Sequence, residues 1–141
     1  MGKSFLLSAL ITTISICSLG QDISSLKLSA KEIPAGYNKP TKLLCDNSLI
    51  ENIYNNPGDY PMIGYVEKKD FQSFEKGSDK GSILYFEFTD ELTEKEKDNL
   101  DAFLIKNQEP YFIGKLVIIW CLNNDSEIKK ISKAKIMGFS K

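Results

Sequence analysis

Leu116-Val117-Ile118-Ile119-Trp120-Cys121-Leu122 is the stretch whose reading decides the fold. Seven apolar residues run without a break, between Gly114-Lys115 and Asn123-Asn124-Asp125-Ser126. A run this short, rich in β-branched residues and bounded by turn formers, predicts a strand buried on both faces. The rest of the chain is placed by asking what covers it.

Upstream, Ser82 to Phe88 alternates cleanly. Leu84, Phe86 and Phe88 share one face; Ile83, Tyr85 and Glu87 share the other, which is the period of a strand. Between the two strands, Thr93 and Glu96 form a capping box, with Glu94 and Glu96 in the first turn where the helix dipole favours acid. This predicts a helix over 93–106 with Leu92, Leu100, Phe103 and Leu104 on its buried side. Strand, helix, strand in this order reads as a β-α-β crossover with parallel strands.

A second, shorter helix is expected near 48–55, started by a Ser48/Glu51 box and stopped by Pro57-Gly58. It is the candidate cover for the far face of 116–122. Residues 61–67 read as a strand, and 68–81 as a loop or irregular hairpin connection. Residues 21–42 read as a loosely ordered lead-in, with one short edge strand through Ile23, Leu26 and Leu28. For 127–139 the even spacing of Ile128, Ala134 and Ile136 favours a hairpin return strand over a short helix. The expected fold is therefore α+β: a mixed sheet of about four strands with one main helix on a face.

The run of helix, Pro110, G-K-L-V-I-I-W-C-L, polar turn and I-K-K-I-S-K-A-K-I-M-G resembles the helix–hairpin start of TonB C-terminal domains. The resemblance implies a hairpin after Leu122 and nothing about function.

Residues 1–20 read as a secretory signal: Lys3 near the start, an uncharged apolar core from Phe5 to Cys17, then small Ser18 and Gly20 at the positions a signal peptidase inspects. That core is shorter than the ~20 residues of a spanning helix. Ile16 before Cys17 argues against lipid attachment. Residues 21–141 then form a single secreted or periplasmic domain with no stable membrane insertion after cleavage. Its remaining cysteines, Cys45 and Cys121, are the candidate disulfide for an oxidising compartment. A bridge across a loop of that length would stabilise by roughly 4 kcal/mol. The competing reading is two buried, unpaired thiols.

Composition narrows the chemistry. The 141 residues contain no His, and all 18 basic residues are Lys. His-based triads and His-ligated metals are excluded, as is bidentate Arg capture of phosphate. A formal charge of −1 gives no electrostatic case for nucleic acid. No cofactor site, metal site or catalytic constellation stands out. Asn123, Asp125 and Glu127 alternate like a calcium loop but lack its glycine and its final Glu. Asp90, Glu91, Glu94, Glu96 and Asp98 are the densest carboxylates, better explained by a helix N-terminus than by a site. Ser73…Lys76 and Ser126…Lys129 match Ser-x-x-Lys spacing, as chance allows with this many lysines. Tyr60, Tyr65, Tyr85, Tyr111 and Phe112 could line a surface, but core packing explains such residues more often.

The function expected is non-enzymatic binding of a protein or small ligand. The alternatives are a small exported hydrolase using carboxylates such as Glu87, Asp90 and Glu91, or an immunity- or inhibitor-type protein.

Overall fold

The computed structural model describes residues 22–139. The expected signal segment 1–20, with Cys17, lies outside the described residues.

The fold is α+β, built on a four-stranded sheet in the order β1-β2-β4-β3. The strands are β1 (Val66–Lys76), β2 (Asp79–Phe88), β3 (Gln108–Ile113) and β4 (Leu116–Cys121). The helices are α1 (Ile23–Leu26), α2 (Ser48–Asn55), α3 (Glu94–Ala102) and α4 (Glu127–Gly138).

As expected, β4 is buried on both faces and is central. Leu116, Ile118 and Trp120 enter one core with Ile83 and Tyr85 of β2. Val117, Ile119 and Cys121 enter the other with Leu84, Phe86 and Phe88. The first core is closed by Leu26 of α1 and by Ile128 and Ile136 of α4. The second is closed by Ile50 and Ile53 of α2, Ile63, and Leu100 of α3. Thus α2 and α3 share a face, and α2 does not cover the far side of β4.

The sheet is antiparallel throughout, not mixed, because β2 and β4 pair antiparallel. The crossover reading missed β3. The capping box of Thr93 and Glu96 forms as expected, but α3 stops at Ala102. The chain then runs as β3 along the far edge and turns back into the gap beside β2. Ile113 pairs with Leu116, so the loop is only Gly114-Lys115, with Gly114 at φ +59°. A glycine with positive φ at the first position of a two-residue loop matches the twist of a tight hairpin. Pro110 disguised the strand. The pair closing a two-residue loop is hydrogen-bonded and bonding alternates along the ladder, so Pro110 presents its missing N–H to the open edge.

Further expectations are corrected. Residues 61–67 are not one strand: Pro61–Ile63 is a single tight turn, and β1 runs through the supposed loop to a hairpin with β2 at Gly77-Ser78. Its polar composition suits an edge strand, whose outer residues meet water. The described part of the expected lead-in, residues 22–42, is fastened, not loose. The Leu28 N–H and C=O pair with the Gln72 side-chain amide, both at 2.9 Å, and Asn38 bridges Glu75. The Lys27 ammonium lies 2.8 Å from Asp70. Ile23–Leu26 is a short helix rather than an edge strand.

Finally, residues 127–138 are a helix, so the hairpin implied by the TonB-like run is absent. Both edges of β4 are already filled by β2 and β3, leaving no edge for a returning strand. The buried stripe is Ile128, Ser132 and Ile136, at helical spacing. Its middle member is polar, which masked the period; Ser132 is buried because its hydroxyl accepts the Trp120 indole N–H at 2.8 Å.

Candidate functional site

The site grows from the place where β4 ends. Cys121, its last paired residue, stands opposite Ser82 of β2 and Gln108 of β3. β2 begins at Asp79, so it overhangs β4 there. On the other side, residues 105–107 lead into β3 through a turn at Asn107, φ +71°. Between these flanks lies an open cleft of about 510 Å³, its wall completed by Leu44, Cys45 and Leu122.

A chain of hydrogen bonds fixes the segment carrying Cys45. The Ser73 hydroxyl donates to the Lys42 carbonyl at 2.6 Å. That uses its one proton, so the Ser82 hydroxyl, 2.6 Å away, donates to Ser73. The Ser82 oxygen in turn accepts the Leu44 N–H at 2.7 Å. Both serines are buried, and full pairing makes that burial tolerable. The result sets Cys45 beside Cys121, with Cα atoms 5.3 Å apart and sulfurs 2.20 Å apart, a disulfide distance.

The opposite flank is equally fixed. Asn47 caps α2 by accepting the Leu49 and Ile50 N–H groups, a role the sequence reading gave to the Ser48/Glu51 box. Its amide donates to the Phe103 carbonyl and to Gln108 Oε1, both at 2.9 Å. Gln108 Oε1 also accepts the Ile105 N–H at 3.1 Å, and Gln108 Nε2 lies 3.8 Å from Cys45 Sγ.

Below Asn107 sits Lys129, whose side chain is only 3% exposed. Its ammonium donates to Asn124 Oδ1 at 2.7 Å and to the Asn107 carbonyl at 3.3 Å, and lies 3.1 Å from Glu109. Three donors meet three acceptors, which is what a buried ammonium requires. Lys133 reaches the same Glu109 oxygen at 2.9 Å. Burial alone would push the Glu109 carboxyl up; the hydrogen bonds and charges of Lys133 and Lys129 outweigh it and hold the group below the ordinary carboxylate value. A second cleft, of about 390 Å³, is lined by these paired charges together with Lys130.

The cleft beside the cysteines has a different chemistry. Lys80, Lys106 and Asp46 are exposed on its rim, and Ile105 is half exposed. It offers amino groups, amides and some apolar wall, with no pair of facing carboxylates.

Of the other sequence candidates, Asp90 and Glu91 are exposed after β2, Glu87 is half-buried, and none lines either cleft. Neither Ser-x-x-Lys match forms a pair. Ser126 caps α4 by accepting the Lys129 N–H, while the Lys129 ammonium points elsewhere. Lys76 donates to the Ala35 carbonyl. Among the described residues, no three Asp, Glu or Cys side chains group to hold a metal. Tyr85 is core, its hydroxyl donating to Gln72; Tyr65 is exposed. Tyr60 packs on Phe103 and Tyr111 on Trp120.

Sequence reasoning reached Cys45 and Cys121 but missed Gln108, Asn107 and Lys80. The signal for the first two was the Asn107-Gln108 pair just ahead of Glu109-Pro110; Lys80 carried none.

Fold and site together define a small α+β domain with both sheet faces covered and a cysteine-lined cleft at one end. No family model matches the chain, and no curated protein and no solved structure matches it either. Among the described residues, no helix is long and apolar enough to cross a membrane.

Proposed function

We propose that this chain is an exported, non-catalytic binding protein whose ligand site is the cleft at the end of β4. The observation that carries the reading is the Cys45–Cys121 pair at disulfide distance in the wall of that cleft. Disulfides persist in oxidising compartments, which agrees with the secretory pattern of residues 1–20. A bridged wall is also pre-organised, and pre-organisation lowers the ordering cost of binding. Rim lysines with an apolar wall and a single carboxylate, Asp46, suit recognition more than hydrolysis by a carboxylate pair.

The test is made in the source cells. The chain recovered from outside the cytoplasm is expected to start near Gln21. Its Cys45 and Cys121 should resist alkylation until reduced. It should co-elute with a partner that is lost when Lys80 and Lys106 are both changed to Glu. Full-length chain with free thiols overturns the export half; a complex indifferent to the two substitutions overturns the cleft.

A further inference from the structure

We infer that the ligand of the cleft is an extended, acidic peptide segment, laid along the lane that β4 leaves empty and paired with the main chain of Lys80. The inference rests on the cleft being the binding site and goes on to name what fills it.

The lane follows from strand phase. Asn38 and Glu75 exchange hydrogen bonds at 2.8 and 2.9 Å on the outer side of β1. From Lys68 onward, past the register shift near the start of β1, odd-numbered β1 residues therefore face outward and even-numbered ones bond to β2. In the observed register Lys76 and Phe74 meet Asp79 and Gly81. Alternation along β2 then turns Lys80 the other way, towards β4. At the far end of β2, the Phe88 N–H donates to the Lys115 carbonyl at 2.8 Å, which confirms that even-numbered β2 residues face the β4 side.

Opposite Lys80, however, the ladder has ended. Its last pair is Ser82 with Cys121, and the chain departs through Leu122 into the first core. Among the described residues, no main-chain group completes the Lys80 N–H and C=O on that side. The flanks persist: Ser78, Lys80 and Gly81 on one side, residues 105–108 on the other. Where the ladder ends, Cys121 alone separates Ser82 of β2 from Gln108 of β3, so the flanks enter the lane about 9.5 Å apart, twice the inter-strand spacing. A gap of that width with one edge of free main-chain groups accepts a strand, the arrangement by which sheets capture extended peptides.

The surroundings select the strand. Lys80 and Lys106 put two ammonium groups on the rim against the single carboxylate of Asp46, which favours acidic side chains. Ile105 and Leu44 offer apolar contact, so alternate residues of an inserted strand can divide between apolar and charged partners.

The experiment separates backbone pairing from charge. A displayed pool of random octapeptides is selected on the oxidised mature protein, and the enriched peptide is titrated while amide shifts are followed. Acidic sequences are expected, with shifts at Lys80, Gly81, Asn107 and Gln108. Lys80→Pro removes the lane-facing N–H without touching the bonds to β1, and should weaken binding about tenfold; Lys80→Ala keeps the N–H and should cost about threefold. If Lys80→Pro does not fold, a peptide methylated at its backbone nitrogens tests the same bonds on the unaltered protein, again with about a tenfold loss. Equal affinity for the proline variant, or for the methylated peptide, overturns the peptide lane while leaving the cleft as the binding site. An empty selection, or shifts confined to another face, also overturns the lane. The cleft reading stands or falls separately, on whether the native complex survives the two Lys→Glu changes.

Discussion

Gly81 sits where β2 passes the end of β4, and Gly81→Ala probes that crossing directly. A Cβ at this position would lie 2.1 Å from the Cys121 carbonyl oxygen and 2.8 Å from Leu122 Cδ2. Contacts below 3.0 Å are essentially unknown for real Cβ atoms, and the nearest atom here is backbone, which cannot swing aside. The strands must part by about 1 Å, which forfeits the terminal Ser82–Cys121 pairing. Two ladder bonds lost at about 1 kcal/mol each, plus about 1 kcal/mol for a side chain at φ +156°, give a cost of about 3 kcal/mol. Gly77→Ala is the control. It has φ +61° but open space around the added Cβ, so only the conformational cost of about 1 kcal/mol applies. The reduced freedom of an alanine in the unfolded chain is common to both variants and cancels in the comparison. Urea unfolding of the oxidised proteins, followed by circular dichroism, should show Gly81→Ala less stable than Gly77→Ala by about 2 kcal/mol at unchanged m. Equal stabilities would mean that β2 and β4 do not approach this closely, and the geometry of the cleft would fall with that contact.

Other outcomes are expected. Replacing Cys45 and Cys121 together by Ala opens a 76-residue link and should cost about 4 kcal/mol in chemical unfolding; a cost under about 1 kcal/mol would show that the native pair is not bonded. Ser132→Ala strands the buried Trp120 indole N–H and should destabilise by about 1–3 kcal/mol, whereas Ser132→Ala combined with Trp120→Phe should lose less than the sum of the two single changes in a double-mutant cycle. Glu109 and Glu32 both titrate below their ordinary value of 4.5 in the folded chain, Glu32 chiefly through the Lys135 hydrogen bond. Their contribution is thus present above that value and is lost as pH falls through the lower folded one. Glu109→Gln should flatten the fall in stability on acidification, and an unchanged slope in urea titrations across that range would refute the pairing.

What could be read in the chain depended on whether a signal was local. The second capping box, Thr93 with Glu96, is satisfied within one turn, so its residues suffice to announce it. The first was misassigned by one residue because Asn47, unlike Ser48, also has distant partners, Phe103 and Gln108, that fix its side chain. Pairing of Cys45 with Cys121 was an expectation drawn from the signal-like pattern of residues 1–20 and from parity, with two buried thiols as the competing reading; the structure sets them at disulfide distance, and the cleft they line was not legible at all. That cleft exists only because β2 overhangs β4, a register that depends on the whole sheet.

The sequence by itself determined which side chains turn inward. Alternation in β2 and β4 places Leu84, Phe86 and Phe88 against one core and Ile118 and Trp120 against the other, because burial free energy acts residue by residue along a strand of period two. Only the tertiary structure decided which strand lies beside which. Pro110 is compatible with a strand once its vacant nitrogen faces an edge, and residues 127–138 become a helix once both edges of β4 are taken. Hydrogen-bonding edges are a property of the assembled sheet, and no stretch of chain carries the record of its neighbours' free sides.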